Sequence, residues 1–264
     1  MKVIRQEING GFSLELDTPA GHHVLAATVP GSIHTDLISA GIIGDIRTTG
    51  NEAEQEWIRN ANSTYRATIP PTGAGNQELH FAGLDTLATV SINNQVKLET
   101  ENMHRSYSID VDATKEIDLQ IDFKAPLPEA LKRQSEQGVY PNPYNMPYNY
   151  FRKMACSFGW DWGPITVSSG IWKKVEIHNW STAYCDHVAV VPTVENSIPH
   201  FDLNVPVKGE VRELSARVRV VSVNGSETLL DTIVSIHGSQ FIEKIQVPNA
   251  QIWHPRGRGA QPLY

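Results

Sequence analysis

Residues 157–164 read SFGWDWGP: Trp160 and Trp162 flank Asp161, and Gly159 and Gly163 lie just outside them. A sugar has apolar C–H faces and a rim of hydroxyls. Indole faces pack against the first, and a carboxylate accepts charge-assisted hydrogen bonds from the second. These three residues therefore have the chemistry of a sugar contact. In a regular strand, alternate side chains share a face, so the two indoles would point one way and Asp161 the other. Bringing all three to one site takes a break in the strand, which Gly159 and Gly163-Pro164 permit. The competing reading puts both indoles in a core and lets Asp161 cap a turn. Residue types alone leave both open.

No other set of residues makes a stronger chemical case. Glycoside hydrolysis uses two carboxyl groups about 5–10 Å apart. Asp110, Asp112, Asp118 and Asp122 instead alternate with apolar residues, as the solvent side of a half-exposed sheet requires. Asn51-Glu52 is an asparagine before an acid, but it opens a helix, where an acid offsets the dipole. There is no P-loop, no GxGxxG and no Ser/His/Asp set in a recognisable local context. The RGRG run at 256–259 lies beside Trp253 and two prolines and reads as a tight turn. The ten histidines are scattered, with neither HExxH nor zinc spacing. Hence no catalytic residue, metal site or cofactor is expected.

The bulk properties exclude further classes. The 264 residues carry 22 basic and 29 acidic side chains, a net charge of −7, with no basic cluster. That argues against a nucleic-acid partner. No apolar run reaches the length of a membrane span. The opening MKVIRQEINGGFSLEL has no apolar signal core, so a cytoplasmic protein is expected, with Cys156 and Cys185 as free thiols.

The elements that must position the aromatic cluster are mostly strands, because the hydrophobic period is two. YSIDVD places Tyr107, Ile109 and Val111 on one face, and IDLQIDF does the same with Ile117, Leu119, Ile121 and Phe123. ATVSINNQVKL predicts a hairpin: Ala88, Val90 and Ile92 face inward, Asn93-Asn94 turns, and Val96 and Leu98 return. Further strands are predicted at 65–69, 78–82, 165–168 and 172–178. Three short helices are expected in SIHTDLISAG (capped by Ser32, stopped at Gly41), NEAEQEWIRN and PEALKRQSE. The stretch 138–150, GVYPNPYNMPYNY, holds four tyrosines and reads as a long ordered loop.

After Trp180 the texture changes to short alternating strands with turns at Asn224-Gly225 and Gly238, the pattern of a small antiparallel sandwich. The boundary falls near 181–185, giving domains 1–182 and 183–264. The second is about eighty residues, short of the roughly hundred in an immunoglobulin-like sandwich. The chain therefore reads as a fragment.

Four stretches carry a resemblance: VPGSIHTDLISAGII, LDTLATVSINNQ, FRKMACSFGWDWGP and SSGIWKKVEIHNW. In this order they resemble the N-terminal part of β-mannosidases of glycoside hydrolase family two, and WHPRGRGAQPLY resembles part of the domain that follows. The resemblance implies an all-β chain. An N-terminal jelly-roll, galactose-binding-like sandwich precedes an incomplete immunoglobulin-like sandwich. It also implies a TIM barrel, absent from this chain, that carries two catalytic glutamates of a retaining hydrolase.

By resemblance, Trp160, Asp161 and Trp162 contact a β-mannoside or manno-oligosaccharide substrate, with Asp161 binding mannose hydroxyls. Arg152 and Lys153 are assigned to positioning that loop. His104 and His254 depart from the family pattern, where aromatics are usual. The chain is thus expected to be a non-catalytic part of a β-mannosidase that supplies one wall of its pocket. The alternative is a free-standing carbohydrate-binding module without hydrolytic activity.

Overall fold

The computed structural model describes residues 3–73 and 75–264. They divide into two compact units, Ile4–Asn179 and Trp180–Tyr264.

The first unit is a sandwich of two antiparallel sheets. Its strands are β1 (Ile4–Glu7), β2 (Phe12–Thr18), β3 (Gly21–Ala26), β4 (Ser63–Ile69), β5 (Asn76–Phe81), β6 (Ala88–Ile92), β7 (Gln95–Thr100), β8 (Tyr107–Asp110), β9 (Ile117–Phe123) and β10 (Val175–Trp180). One sheet runs β3-β2-β4-β9-β6-β7 and the other β1-β10-β5-β8. The alternating residues of β2, β4, β6 and β9 meet Leu79, Phe81, Ile109, Val175 and Ile177 between the sheets, forming the main core. Burial of these apolar side chains, each contributing about 1.5–3 kcal/mol, supplies the main driving force for the fold.

Helix α1 (Ile33–Ser39) sets Ile33 and Leu37 into that core. Ser32 caps it: its Oγ accepts from the Thr35 amide (3.3 Å), and Thr35 Oγ1 accepts from the Ser32 amide (2.9 Å). That reciprocal pair satisfies two orphan donors of the first turn. NEAEQEWIRN divides into α2 (Asn51–Glu54) and a 3-10 turn over Glu56–Asn60. Helix α3 (Pro126–Gln137) opens on a proline, whose missing N–H is not needed there.

Three sequence expectations are corrected here. Asn93 and Asn94 do make the hairpin turn, both with positive φ. However, Val96 lies 63% exposed. A register shift leaves Val90 opposite Leu98 but Ser91 opposite Val96, so Lys97 is the extra residue of a bulge. One inserted residue reverses which face each side chain takes, which turns Val96 outward. Residues 165–168 form no strand, and the strand expected at 172–178 begins only at Val175. Pro164 has no N–H, and the Ile165 amide is taken by Glu52 Oε1 at 2.7 Å rather than by a neighbouring strand.

The second unit contains β11 (Ala183–Cys185), β12 (Ala189–Glu195), β13 (Ile198–Gly209), β14 (Leu214–Val221), β15 (Thr228–Ile236) and β16 (Gln240–Gln246). Strand β13 lies between β12 and β16 and continues beside β11. The β14-β15 hairpin forms a second layer. Leu203, Val205, Val207, Phe241 and Ile245 pack with Leu214, Ala216, Val218 and Leu230 between the layers. This is a small all-antiparallel sandwich.

Candidate carbohydrate site

The segment between α3 and β10 has almost no regular structure, yet it is tightly held. A satellite core of Leu87, Ala130, Tyr150, Phe151, Phe158 and Val167 pins it to the sandwich. The Tyr150 hydroxyl donates to the Gly138 carbonyl (2.5 Å) and accepts from the Tyr140 amide (3.0 Å), closing the tyrosine-rich loop. The Tyr140 and Tyr150 rings stack at 5.1 Å. These aromatic contacts replace the ladder hydrogen bonds that a proline-rich stretch cannot make.

Lys153 is the deepest anchor. Its side chain is fully buried, and Nζ donates to both oxygens of Asp85 at 2.6 Å. Burial pulls this ammonium below the usual lysine range, and the Asp85 carboxylate opposes that shift. Asp85 also exchanges backbone hydrogen bonds with Gly170, 2.9 Å each way. Gly170 has φ +144 and packs so close that a Cβ there would lie 2.9 Å from Ser32 Cα. Arg152 points its side chain to solvent, while its backbone bonds to Glu101 and Met103. The two neighbours therefore do different things: Lys153 anchors through its side chain and Arg152 through its backbone.

Beyond them, a 3-10 turn over Ala155–Phe158 leads into Gly159, whose φ of +124 suits glycine. Trp160 and Gly163 then form an antiparallel bridge that closes a tight turn over Asp161 and Trp162. The turn is a break in regular backbone that leaves all three residues exposed and brings the two indoles together. The indoles of Trp160 and Trp162 lie 4.8 Å apart, inclined by 42°. They are 37% and 73% exposed, so neither is a core residue. Among the described residues, the exposed Asp161 carboxylate meets no protein donor.

Sequence reasoning did not single out two further members. Tyr144 packs on Trp160 at 5.1 Å, and Tyr148 lies 6.5 Å from Tyr144. The spacing of tyrosines in 138–150 was the available signal. Asp85 was also missed, because a lone aspartate in GLDT shows nothing of a lysine 68 residues away.

His104 makes an edge contact with Trp172 (6.4 Å), and the His254 amide bonds to the Ala260 carbonyl (2.9 Å). Among the described residues, Glu78, His80 and His178 bring ligand-type atoms within 4.8 Å of one another. The two imidazoles stack at 4.6 Å and 18°, however. Both His178 nitrogens have carboxylate partners, Nδ1 with Glu78 Oε1 (3.1 Å) and Nε2 with Glu176 Oε2 (3.3 Å).

The fold defines a galactose-binding-like β-sandwich that carries an exposed aromatic turn on an anchored loop. The profile of the glycosyl hydrolase 2 galactose-binding domain-like family matches residues 14–173, and the chain belongs to that family. The β-mannosidase of Bos taurus is 30% identical across 100% of this chain and 32% of its own length. That of Mus musculus is 30% identical across 97% of this chain and 31% of its own. The chain thus spans about a third of the length of these relatives.

A solved β-D-mannosidase from Dictyoglomus thermophilum has the same fold, with a TM-score of 0.78 and 24% identity over 98% of this chain and 33% of that one. A family-two β-galacturonidase from Eisenbergiella tayi is more distant, with a TM-score of 0.53 and 16% identity over 96% of this chain. Among the described residues, no helix is long and apolar enough to cross a membrane.

Proposed function

We propose that this chain is the non-catalytic part of a retaining β-mannosidase and forms one wall of its sugar pocket. Asp161 accepts hydrogen bonds from mannose hydroxyls, and Trp160 and Trp162 pack on the ring or shape the wall. The glutamates that act on the glycosidic bond belong to a barrel outside these residues. The observation that supports the reading is the turn at 160–163, which exposes two touching indoles and an aspartate that has no protein partner among the described residues. Such a group is costly to desolvate unless a ligand satisfies it, and sugar hydroxyls do so. Free Cys156 and Cys185 fit a reducing, cytoplasmic setting.

The test is the hydrolysis of 4-nitrophenyl β-D-mannopyranoside by the full-length, barrel-containing protein that this reading requires. Asp161→Ala is expected to lower kcat/KM about a hundredfold or more, the scale of a lost positioning contact. Kinetics unchanged by that substitution would sink the proposal.

A further inference from the structure

The turn that carries Trp160 and Trp162 stands on two feet. Asp161 to Pro164 are exposed, whereas Gly159 is buried and Ile165 is half-buried. The feet touch: a Cβ on Gly159 would lie 3.5 Å from Ile165 Cδ1. Phe158, in the satellite core, fixes the first foot. The Ile165 side chain packs on the same core, which sets its depth but not the direction of its backbone. That direction depends on one bond. Pro164 has no N–H, and the Ile165 amide donates to Glu52 Oε1 at 2.7 Å. Among the described residues, no other hydrogen bond reaches the backbone from Pro164 to Ser168.

Glu52 comes from a fixed platform. Beside it on α2, Asn51 Nδ2 donates to the Asp45 carbonyl, and Gln55 Nε2 donates to the Gly44 carbonyl, each at 2.8 Å. Ile58, in the 3-10 turn that follows, is buried in the main core. We infer that Glu52 is the positioning residue of the Trp160–Trp162 turn: its carboxylate sets the direction in which the chain leaves the turn, and so the mutual placement of the two indoles. The functional consequence of this role rests on the pocket-wall reading; the geometry does not.

Two other roles for this acid demand something different. An acid at a helix start offsets the dipole, but α2 has only four residues and builds little of one. An acid after an asparagine could act as a glycosidase carboxyl group. Both roles need the charge of Glu52. Accepting the Ile165 amide needs only an acceptor oxygen at the right reach.

Two substitutions separate these demands. Glu52→Gln keeps the length and an acceptor oxygen but removes the charge. Glu52→Asp keeps the charge but falls one methylene short. In the 264-residue chain, the readout is the exciton-coupled circular dichroism of the two indoles, taken as the difference from Trp162→Phe. Indoles 4.8 Å apart couple strongly, with a sign and size set by their mutual angle. The couplet is expected to survive in Glu52→Gln and to collapse in Glu52→Asp. In the full-length, barrel-containing protein, Glu52→Asp is expected to lower kcat/KM for 4-nitrophenyl β-D-mannopyranoside about tenfold or more, while Glu52→Gln retains most of it.

A couplet that persists in Glu52→Asp, or collapses equally in Glu52→Gln, would overturn the assignment. Turnover abolished in Glu52→Gln with the couplet intact would overturn it too, because the charge would then be chemical. Should Glu52→Asp fail to fold, Glu52→Gln alone decides: its couplet and turnover must both persist. Full turnover in Glu52→Asp despite a collapsed couplet would keep Glu52 as the clamp of the turn and sink the pocket wall, so the two readings fail separately.

Discussion

The Nζ of Lys153 lies 2.6 Å from both carboxylate oxygens of Asp85, sealed from solvent beneath the loop that ends in Trp160 and Trp162. The pair joins the irregular segment to the β5–β6 connection, and its burial makes its loss expensive. Lys153→Met leaves an uncompensated buried carboxylate. It should destabilise the protein by about 3–5 kcal/mol. Adding Asp85→Asn to that variant should recover much of the loss. Urea denaturation of the two variants checks this; equal midpoints would show that the charge pair is not the anchor.

The Tyr150 hydroxyl ties both ends of the tyrosine-rich loop together. Tyr150→Phe keeps the ring in the satellite core and removes only these bonds. A loss of about 1–2 kcal/mol is expected. Cleavage by a limiting amount of protease should shift to 138–149, because local opening becomes easier. An unchanged digestion pattern would refute the tie.

Trp162 separates stability from binding. It is 73% exposed, so Trp162→Ala should change unfolding free energy by no more than about 0.5 kcal/mol. On the proposed reading, the same substitution weakens sugar contact. Paired melting and sugar titration would expose a wrong assignment as a large stability loss with unaltered binding.

His34 gives the fold a pH dependence. It is buried, with Nδ1 3.0 Å from Ser168 Oγ. Burial first, and the Lys153 charge second, lower its pKa from 6.5 to about 4. The folded protein therefore keeps His34 neutral where the unfolded chain takes up a proton. Its contribution is present above pH 6.5 and is lost as pH falls towards 4, by up to about 3 kcal/mol.

Asp36 runs the other way: burial raises its pKa, so its cost is relieved at low pH. The difference between the parent and His34→Gln isolates the histidine. Stability measured from pH 7.5 to 4.5 should fall less steeply in the variant. Parallel slopes would contradict the shift.

The break in the backbone at 159–163 was legible from its flanking glycines, because glycine marks where a strand can break, whereas the types of Trp160, Asp161 and Trp162 left a core and a surface reading open until the exposure of both indoles decided between them. The strands β6 and β9, the Asn93-Asn94 turn and the Ser32 cap were legible too. Each depends on residues close in sequence and on a period set by the backbone itself.

What only the tertiary structure decided was which way things face and what holds them. Val96 turned outward because one bulge residue reversed the alternation, a choice made by strand pairing. Residues 165–168 lost their strand because the partner of the Ile165 amide is a side chain 113 residues away. Tyr144 and Tyr148 joined Trp160 through a loop with no period, and Lys153 met Asp85 across 68 residues. Local sequence fixes periodicity and turn chemistry, whereas exposure and partnership depend on contacts between distant segments that exist only once the chain has packed.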